Sequence, residues 1–116
     1  MQKGKVDLVI TGADRVAQNG DSANKIGTYS LAVLCKHHSI PFYIAAPTST
    51  IDLNCKTGDD IKIEFRGKTE LNSLRGTKIT SDEYDVFAPA FDVTPNELIT
   101  GIITEEKIHK PKYNFL

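Results

Sequence analysis

Short apolar runs alternate with longer polar or amphipathic stretches along this chain of 116 residues. Residues 6–11 are rich in valine, leucine and isoleucine, a pattern that predicts a buried strand followed by a loop. The loop spans residues 12–21 and contains Asn19-Gly20, a strong turn signal. Ser22 is suited to cap a helix that runs from about residue 23 to residue 38. Apolar side chains cover much of the circumference of this helix, which suits packing on a sheet.

A second strand follows this helix. Ser39-Ile40-Pro41 ends the helix, residues 42–46 are aromatic and aliphatic, and residues 47–50 are a polar loop. A strand, a helix and a second strand in this order predict a parallel βαβ unit. Open α/β sheets bind ligands outside the carboxyl ends of their strands. The loop after the first strand is therefore the place where a ligand is expected.

The second half of the chain is less regular. Residues 61–65 alternate between apolar and polar side chains, which predicts an edge strand or an extended arm. Residues 84–88 predict a third strand, and a short helix is expected from Pro95, since proline suits a first helical turn. Gly101 precedes another apolar run, and we expect the charged tail, residues 105–116, to be peripheral. The whole pattern predicts the α/β class, with a parallel sheet and crossover helices.

Composition and charge exclude several classes of protein. The chain is 40% hydrophobic and 25% charged, as in an ordinary globular domain. Its net charge is −1, and neither half has a basic excess as large as binding to a nucleic-acid backbone requires, so we expect neither nucleic-acid binding nor membrane-surface binding. Its apolar runs are too short to span a bilayer. Two cysteines, Cys35 and Cys55, are too few for a disulfide scaffold or a four-cysteine zinc site. A cytoplasmic location is expected.

Residues 12–28 carry the candidate chemistry. Asp14 follows the first predicted strand closely, where partial burial would raise the pKa of a carboxylate and suit it to acid–base catalysis. Asn24 and Lys25 fall in the first turn of the predicted helix, where free backbone N–H groups and the helix dipole favour an anion. An amide and a lysine beside them would hold a phosphate. This pattern indicates a site for a phosphate-bearing ligand.

Each of these features also has a structural interpretation. Asp14-Arg15 can be a surface ion pair, Asn19-Gly20 can be only a turn, and Lys25 can be a solvated lysine. The glycine spacing is that of neither a dinucleotide-binding fingerprint nor a P-loop. Asp52 is a possible carboxylate behind the site, whereas Asp92 is expected to organise its own loop. No metal cluster or nucleotide motif is present, so no cofactor is implied.

Three long motifs carry a family resemblance. GADRVAQNGDSANKIGT, PFYIAAPTSTID and PAFDVTPNELITGIITE resemble, in this order, the C-terminal part of the methylthioribose-1-phosphate isomerases. That family also includes the alpha, beta and delta subunits of translation initiation factor eIF2B and the ribose-1,5-bisphosphate isomerases. The resemblance runs from about Val6 to Glu105. The chain departs from it at Ala88, where the family usually has asparagine, and at Phe65, where it often has an acid.

The resemblance implies a fold and a reaction. It implies a Rossmann-like parallel sheet that belongs to a larger two-domain protein, with residues 1–116 as a segment of the C-terminal catalytic domain. Members convert the aldose 5-methylthioribose 1-phosphate to the ketose 5-methylthioribulose 1-phosphate in methionine salvage. Asp14 matches one of two catalytic residues, and Asn24 and Lys25 match a substrate-binding pair.

The same resemblance implies that groups are needed from outside this chain. The second catalytic residue is a cysteine upstream of this segment, and the arginines that hold the substrate phosphate are upstream too. The expected partners are therefore the sugar-phosphate substrate, the N-terminal remainder of the same enzyme and a second copy in a homodimer. We expect the chain to be inactive alone, and its first strand to expose apolar surface.

Two other functions stay open from the sequence. One is a non-catalytic regulatory subunit like the eIF2B alpha subunit, which has no need of a general acid–base. The other is an isomerase of ribose 1,5-bisphosphate or 5-deoxyribose 1-phosphate. Asp14-Arg15 together with Asn24-Lys25 favours an isomerase over a regulatory subunit. The choice of substituent at the sugar 5-position depends on residues outside this chain.

Overall fold

Two four-stranded sheets and a small hairpin form the framework of the structure, a computed structural model that describes residues 1–115. The helices are α1 (Thr28–His37) and α2 (Lys68–Asn72), and single 3₁₀ turns lie at Thr48–Thr50, Gly58–Asp60 and Asn96–Leu98. In chain order the strands are β1 (Val9–Thr11), β2 (Arg15–Ala17), β3 (Ser22–Lys25), β4 (Phe42–Ala45), β5 (Ile51–Asp52), β6 (Ser73–Leu74), β7 (Thr77–Lys78), β8 (Phe91–Thr94), β9 (Gly101–Ile103) and β10 (Ile108–His109).

The first sheet has the order β1-β4-β9-β10. Strands β1, β4 and β9 are parallel, and β10 is antiparallel at the edge. Helix α1 crosses from one sheet to the other between β3 and β4, and β1 pairs with β4 as the βαβ prediction requires. The predicted third strand at 84–88 is wrong, because the third parallel strand is β9. Ile102 of β9 is fully buried beside β4, whereas Phe87 is 80% exposed.

The main core lies between α1 and this first sheet. Ala32 and Cys35 of α1 pack with Phe42 and Ile44 of β4 and with Ile102, and all five are almost completely buried. Burial of such side chains contributes about 1.5–3 kcal/mol each for the larger ones. This packing fixes the direction of α1 relative to the carboxyl end of β1.

The second sheet has the order β5-β2-β3-β8 and corrects the predicted start of the helix. Ser22 does not cap a helix at residue 23, because residues 22–25 form β3, with β2 on one side and β8 on the other. Ser22 and Ala23 are completely buried there. Hydrogen bonds to two neighbouring strands outweigh the local preference for a helix, which begins only at Thr28.

Residues 61–90 form an extended arm with a small hairpin at its end. Phe65 makes an isolated bridge to Pro89, and the Arg66 N–H donates to the Ala88 carbonyl at 2.7 Å. Strands β6 and β7 pair at the hairpin. Of the two alternatives for 61–65, the extended arm is the one observed.

The tail is more than a peripheral segment. His109 of β10 is buried, and the Tyr113 hydroxyl donates to the Ile99 carbonyl at 3.1 Å. Burial raises the pKa of Tyr113 to about 12. Its ring also covers Gly20, where a Cβ atom would come within 2.1 Å of the ring and where φ is +91°. Glycine is therefore required at this turn, both for the backbone and for the docking of the tail.

Apolar side chains are exposed along the free edge of the first sheet. Within the described residues β1 pairs with β4 alone, and Leu8 and Ile10 are about half exposed, as predicted. Val33 and Leu34 on α1 are also exposed.

Among residues 1–115, the two helices are too short to cross a membrane.

Candidate functional site

Asp14 lies in the link between the two sheets. The link Gly12-Ala13-Asp14 joins the carboxyl end of β1 to β2, and the Asp14 N–H donates to the Ala23 carbonyl of β3 at 2.8 Å. The backbone of Asp14 is therefore held by the neighbouring strand. Its side chain is exposed, so this chain does not supply the partial burial that the sequence suggested.

A cleft of about 540 Å³ opens beside Asp14. Its other wall is the segment from Ser49 to Asn54, which includes β5. β2 and β5 are parallel, with Val16 opposite Ile51. This pairing brings the polar loop after β4 next to the polar loop after β1, at the carboxyl end where α/β sheets bind ligands.

Arg15 and Asp52 form an ion pair across this cleft. The Arg15 Nη1 is 3.0 Å from Asp52 Oδ2, and the Asn54 N–H donates to Asp52 Oδ1 at 3.0 Å. Arg15 therefore pairs with Asp52 and not with its neighbour Asp14. In the part of the chain that the structure describes, the Asp14 carboxylate takes part in none of the side-chain hydrogen bonds or ion pairs. Asp14 remains available to a ligand, whereas Asp52, which was expected as a possible carboxylate behind the site, lines the cleft itself.

The predicted placement of Asn24 and Lys25 in the first turn of a helix is wrong. Asn24 and Lys25 belong to β3, not to α1. The Asp92 carboxylate accepts hydrogen bonds from the Gly27 N–H at 2.6 Å and the Tyr29 N–H at 3.0 Å. A carboxylate of this chain thus occupies the position where a ligand anion was expected, since both are favoured by the same N–H groups and dipole.

The structural role of Asp92 was predicted from the sequence only in part. It was expected to organise its own loop, but it lies in β8 and caps a helix 63 to 65 positions away. Its position opposite Asn24 is set by the pairing of β3 with β8. No local pattern could have revealed this partner, because the contact joins distant parts of the chain.

Asn24 and Lys25 keep defined side-chain contacts in their new position. The Asn24 Nδ2 donates to the Thr28 hydroxyl at 3.1 Å. The Lys25 ammonium lies 5.0 Å from the centre of the Phe91 ring. Lys25 also lines a hollow of about 250 Å³ with Arg66, separate from the cleft of Asp14. Within residues 1–115, Asp14 and Lys25 therefore line two separate cavities.

The Asp21 carboxylate holds three turns together next to β3. It accepts hydrogen bonds from Asn19 Nδ2 at 2.8 Å, from the Gly58 N–H at 2.9 Å, and from the N–H and Nδ2 of Asn96 at 2.8 and 2.9 Å. Burial raises its pKa, but the donors from Asn19, Gly58 and Asn96 outweigh burial, so the pKa lies below its usual value. The charged form of Asp21 is thus part of the fold.

Both cysteines are unsuited to partner Asp14. Cys35 is in the core and Cys55 is buried in the second sheet region, where its Sγ donates to the Thr57 carbonyl at 3.3 Å. Burial raises the pKa of both thiols, and Asp60 and Asp52 raise that of Cys55 further. A raised pKa disfavours the thiolate that covalent or acid–base chemistry uses. Neither residue lines the cleft of Asp14.

These features define a class of protein: an α/β protein whose candidate site lies at the carboxyl ends of parallel strands, with an uncommitted carboxylate in a polar cleft. The chain belongs to the initiation factor 2 subunit family, whose model matches residues 1–111. The resemblance found in the three sequence motifs is thereby confirmed.

Similar proteins include isomerases and a translation-factor subunit. The methylthioribose-1-phosphate isomerase of Caldicellulosiruptor saccharolyticus is 61% identical over 97% of this chain and 33% of its own length. The solved 5-methylthioribose 1-phosphate isomerase of Pyrococcus horikoshii is 52% identical, with a TM-score of 0.88 over 95% of this chain and 31% of its own. The eIF-2B delta subunit of A. fulgidus is 46% identical, with a TM-score of 0.87 over 97% of this chain and 32% of its own. The chain spans about a third of the length of the curated relatives it matches.

Proposed function

We propose that this chain is the C-terminal catalytic segment of an enzyme that converts 5-methylthioribose 1-phosphate to 5-methylthioribulose 1-phosphate. The observation that carries the proposal is the 61% identity to a methylthioribose-1-phosphate isomerase over almost the whole chain. The position of Asp14, in a cleft at the carboxyl end of the sheet, supports it. The enzyme would act in methionine salvage, in the cytoplasm and as a homodimer.

The chemistry needs a group that moves protons. The phosphate on the anomeric carbon prevents the sugar from opening its ring as a free aldose does. An acid–base group must therefore protonate or deprotonate ring and hydroxyl oxygens while hydrogen moves from C2 to C1. Asp14 is the candidate, because its backbone is fixed by Ala23 and its carboxylate is uncommitted within the described residues.

The remaining groups would come from the rest of the enzyme. Cys35 and Cys55 are both buried away from the cleft, so the partner of Asp14 would be an upstream cysteine. Upstream arginines would hold the phosphate together with Lys25. The same upstream part would cover Asp14, exclude water and so supply the burial that this chain lacks.

A regulatory subunit is the competing proposal from another class. The 46% identity to the solved eIF-2B delta subunit shows that the fold alone does not decide between them. The residues favour the isomerase, since a binding subunit has no need of the uncommitted Asp14 beside Arg15 and Asp52. Isomerases of ribose 1,5-bisphosphate or 5-deoxyribose 1-phosphate are alternatives that the substrate profile of the enzyme would separate.

Asp14→Asn in the complete enzyme is the test of this function. The amide keeps the size of the side chain but cannot exchange a proton, so we expect turnover to fall by at least about a hundredfold. Substrate affinity and the thermal unfolding midpoint should change little, because Asp14 is exposed. The measurement is formation of the ketose phosphate, followed by nuclear magnetic resonance.

Asp7→Asn is the matched control. Asp7 is also exposed but precedes β1, at the opposite end of the strand. It should retain full turnover. Wild-type turnover in Asp14→Asn would reject Asp14 as the acid–base group, and a wild-type enzyme without isomerase activity would favour the regulatory alternative.

A further inference from the structure

Strand β8 runs directly beside the dipeptide that the resemblance assigns to substrate binding. In the antiparallel register, Asn24 is opposite Asp92 and Lys25 is opposite Phe91. The two residues of β8 therefore lie against the two residues of β3, one to one. The contacts made here restrict how Asn24 and Lys25 can be oriented toward a ligand.

Thr28 determines how the Asn24 amide is oriented. The Thr28 hydroxyl donates its one proton to the Lys25 carbonyl at 2.7 Å, so it can only accept from Asn24. Asn24 must then use its NH₂ group toward Thr28, at 3.1 Å. Its oxygen Oδ1 and the second N–H of its NH₂ group are left, and the oxygen is the acceptor. An acceptor suits a sugar hydroxyl and not a phosphate, which itself only accepts when ionised.

Thr28 is held firmly in this role. It is the first residue of α1 and is 7% exposed. The N–H groups of Gly27 and Tyr29, one on each side of it, both donate to the Asp92 carboxylate. The start of the helix and hence the Thr28 hydroxyl cannot shift without breaking these charge-assisted hydrogen bonds.

Phe91 holds the other member of the dipeptide. The Lys25 ammonium is 5.0 Å from the centre of its ring, within the range of a cation–π contact. Lys25 is otherwise exposed, and a long exposed lysine loses considerable side-chain entropy when a ligand fixes it. The ring reduces this loss because it restrains the ammonium before the ligand arrives.

We propose that Thr28 and Phe91 are positioning residues: Thr28 orients Asn24 to accept a hydrogen bond from a sugar hydroxyl, and Phe91 places the Lys25 ammonium for the phosphate. This proposal rests on the proposed function. It extends that function by assigning one group of the substrate to Asn24 and another to Lys25. The sugar hydroxyl goes to Asn24 and the phosphate goes to Lys25.

Thr28→Val and Thr28→Ser form the first matched pair in the complete enzyme. Valine keeps the shape of threonine without the hydroxyl, so we expect KM for 5-methylthioribose 1-phosphate to rise about five- to tenfold. Serine keeps the hydroxyl and should restore most of the affinity. With Asn24→Ala as background, Thr28→Val should change KM less than about twofold, since Thr28 acts through Asn24.

Phe91→Leu and Phe91→Tyr form the second pair. Leucine removes the ring and should raise KM about two- to fivefold with little change in kcat, whereas tyrosine keeps the ring and should restore KM. With Lys25→Met as background, Phe91→Leu should have almost no further effect. A general loss of stability would instead persist in both backgrounds.

Two results would overturn the proposal. One is equal KM for the valine and serine variants, or for the leucine and tyrosine variants. The other is an effect that stays undiminished when Asn24 or Lys25 is already substituted. If the wild-type enzyme does not isomerise its substrate, the proposed function fails. The same variants are then compared by calorimetric titration with ribose 1-phosphate, where coupling supports the positioning roles and absence of coupling or of binding overturns them.

Discussion

Two aspartates near the site, Asp14 and Asp92, have opposite surroundings. Asp92 accepts hydrogen bonds from two N–H groups at the start of α1. Asp14 is exposed beside the cleft, and only its backbone is engaged within the described residues. A carboxylate with fixed donors stabilises a fold, whereas one without them is free to exchange protons with a ligand. This difference is the reason why we propose Asp14, and not Asp92, as the acid–base group.

Lys25→Met tests the binding role at the scale of one residue. The change keeps an apolar stem and removes the charge, so affinity for the sugar phosphate should fall about ten- to a hundredfold. Stability should fall by about 1 kcal/mol or less, because only an exposed cation–π contact with Phe91 is lost. Calorimetric titration and thermal unfolding of the complete enzyme measure the two effects.

Lys36→Met is the control for this variant. Lys36 is exposed on the last turn of α1, at the far end from Gly27. It should leave affinity unchanged. If Lys25→Met binds the sugar phosphate as well as the wild type does, Lys25 is a solvated surface lysine and the anion position assigned to it is wrong.

At the scale of elements, Asp21 joins three turns that come from distant parts of the chain. Its carboxylate receives donors from Asn19, from Gly58 in one 3₁₀ turn and from Asn96 in another. Asp21 directly precedes β3, so the same contacts hold the strand that carries Asn24 and Lys25. The position of Asn24 and Lys25 therefore depends on contacts among elements rather than on one local segment.

Asp21→Asn should destabilise the enzyme by about 1–3 kcal/mol at pH 7, because an amide cannot accept all of these hydrogen bonds. The folded pKa of Asp21 is lowered, so its contribution is complete above the unfolded aspartate pKa of about 3.9. It is lost as the pH falls through the folded value. The difference between wild type and variant should therefore shrink below about pH 4, as measured by urea unfolding across pH.

Asp85→Asn serves as the comparison, since Asp85 is exposed on the arm. Its unfolding should match the wild type at every pH. A constant difference between wild type and Asp21→Asn down to the lowest pH would show that the charge of Asp21 contributes nothing.

At the scale of the whole molecule, this chain leaves apolar surface exposed. Leu8 directly precedes the edge strand β1, Ile10 lies in it, and both are exposed, as are Val33 and Leu34 on α1. An unpaired edge with apolar side chains favours association with further chain or with other copies. The chain also spans only about a third of its isomerase relatives.

We expect the isolated chain to lack isomerase activity and to self-associate through this edge. Ile10→Lys should reduce the association measured by light scattering, because a charge on an edge strand opposes edge-to-edge pairing. Leu74→Lys, on the exposed hairpin, should reduce it less. An isolated wild-type chain that is monomeric and isomerises the substrate would contradict this prediction.

The sequence by itself determined the class of fold, the βαβ unit and the family. The apolar runs of β1 and β4 are short, strong local signals, and the parallel pairing of Val9 with Phe42 follows from the helix between them. The position of Asp14 after β1 was also predictable, because the end of a strand is marked by its own residues. The three motifs identified the family because they are long and occur in its order.

Only the tertiary structure decided how the proposed binding residues, Asn24 and Lys25, are held. Local propensity placed Asn24 and Lys25 in a helix, but pairing with β2 and β8 makes residues 22–25 a strand. The same pairing brings Asp92 to the start of α1, where it replaces the expected ligand anion. These contacts join residues far apart in the chain. The stabilisation that they provide therefore cannot be predicted from a local sequence pattern. For the same reason, the sequence could not show that β9, and not residues 84–88, completes the parallel sheet.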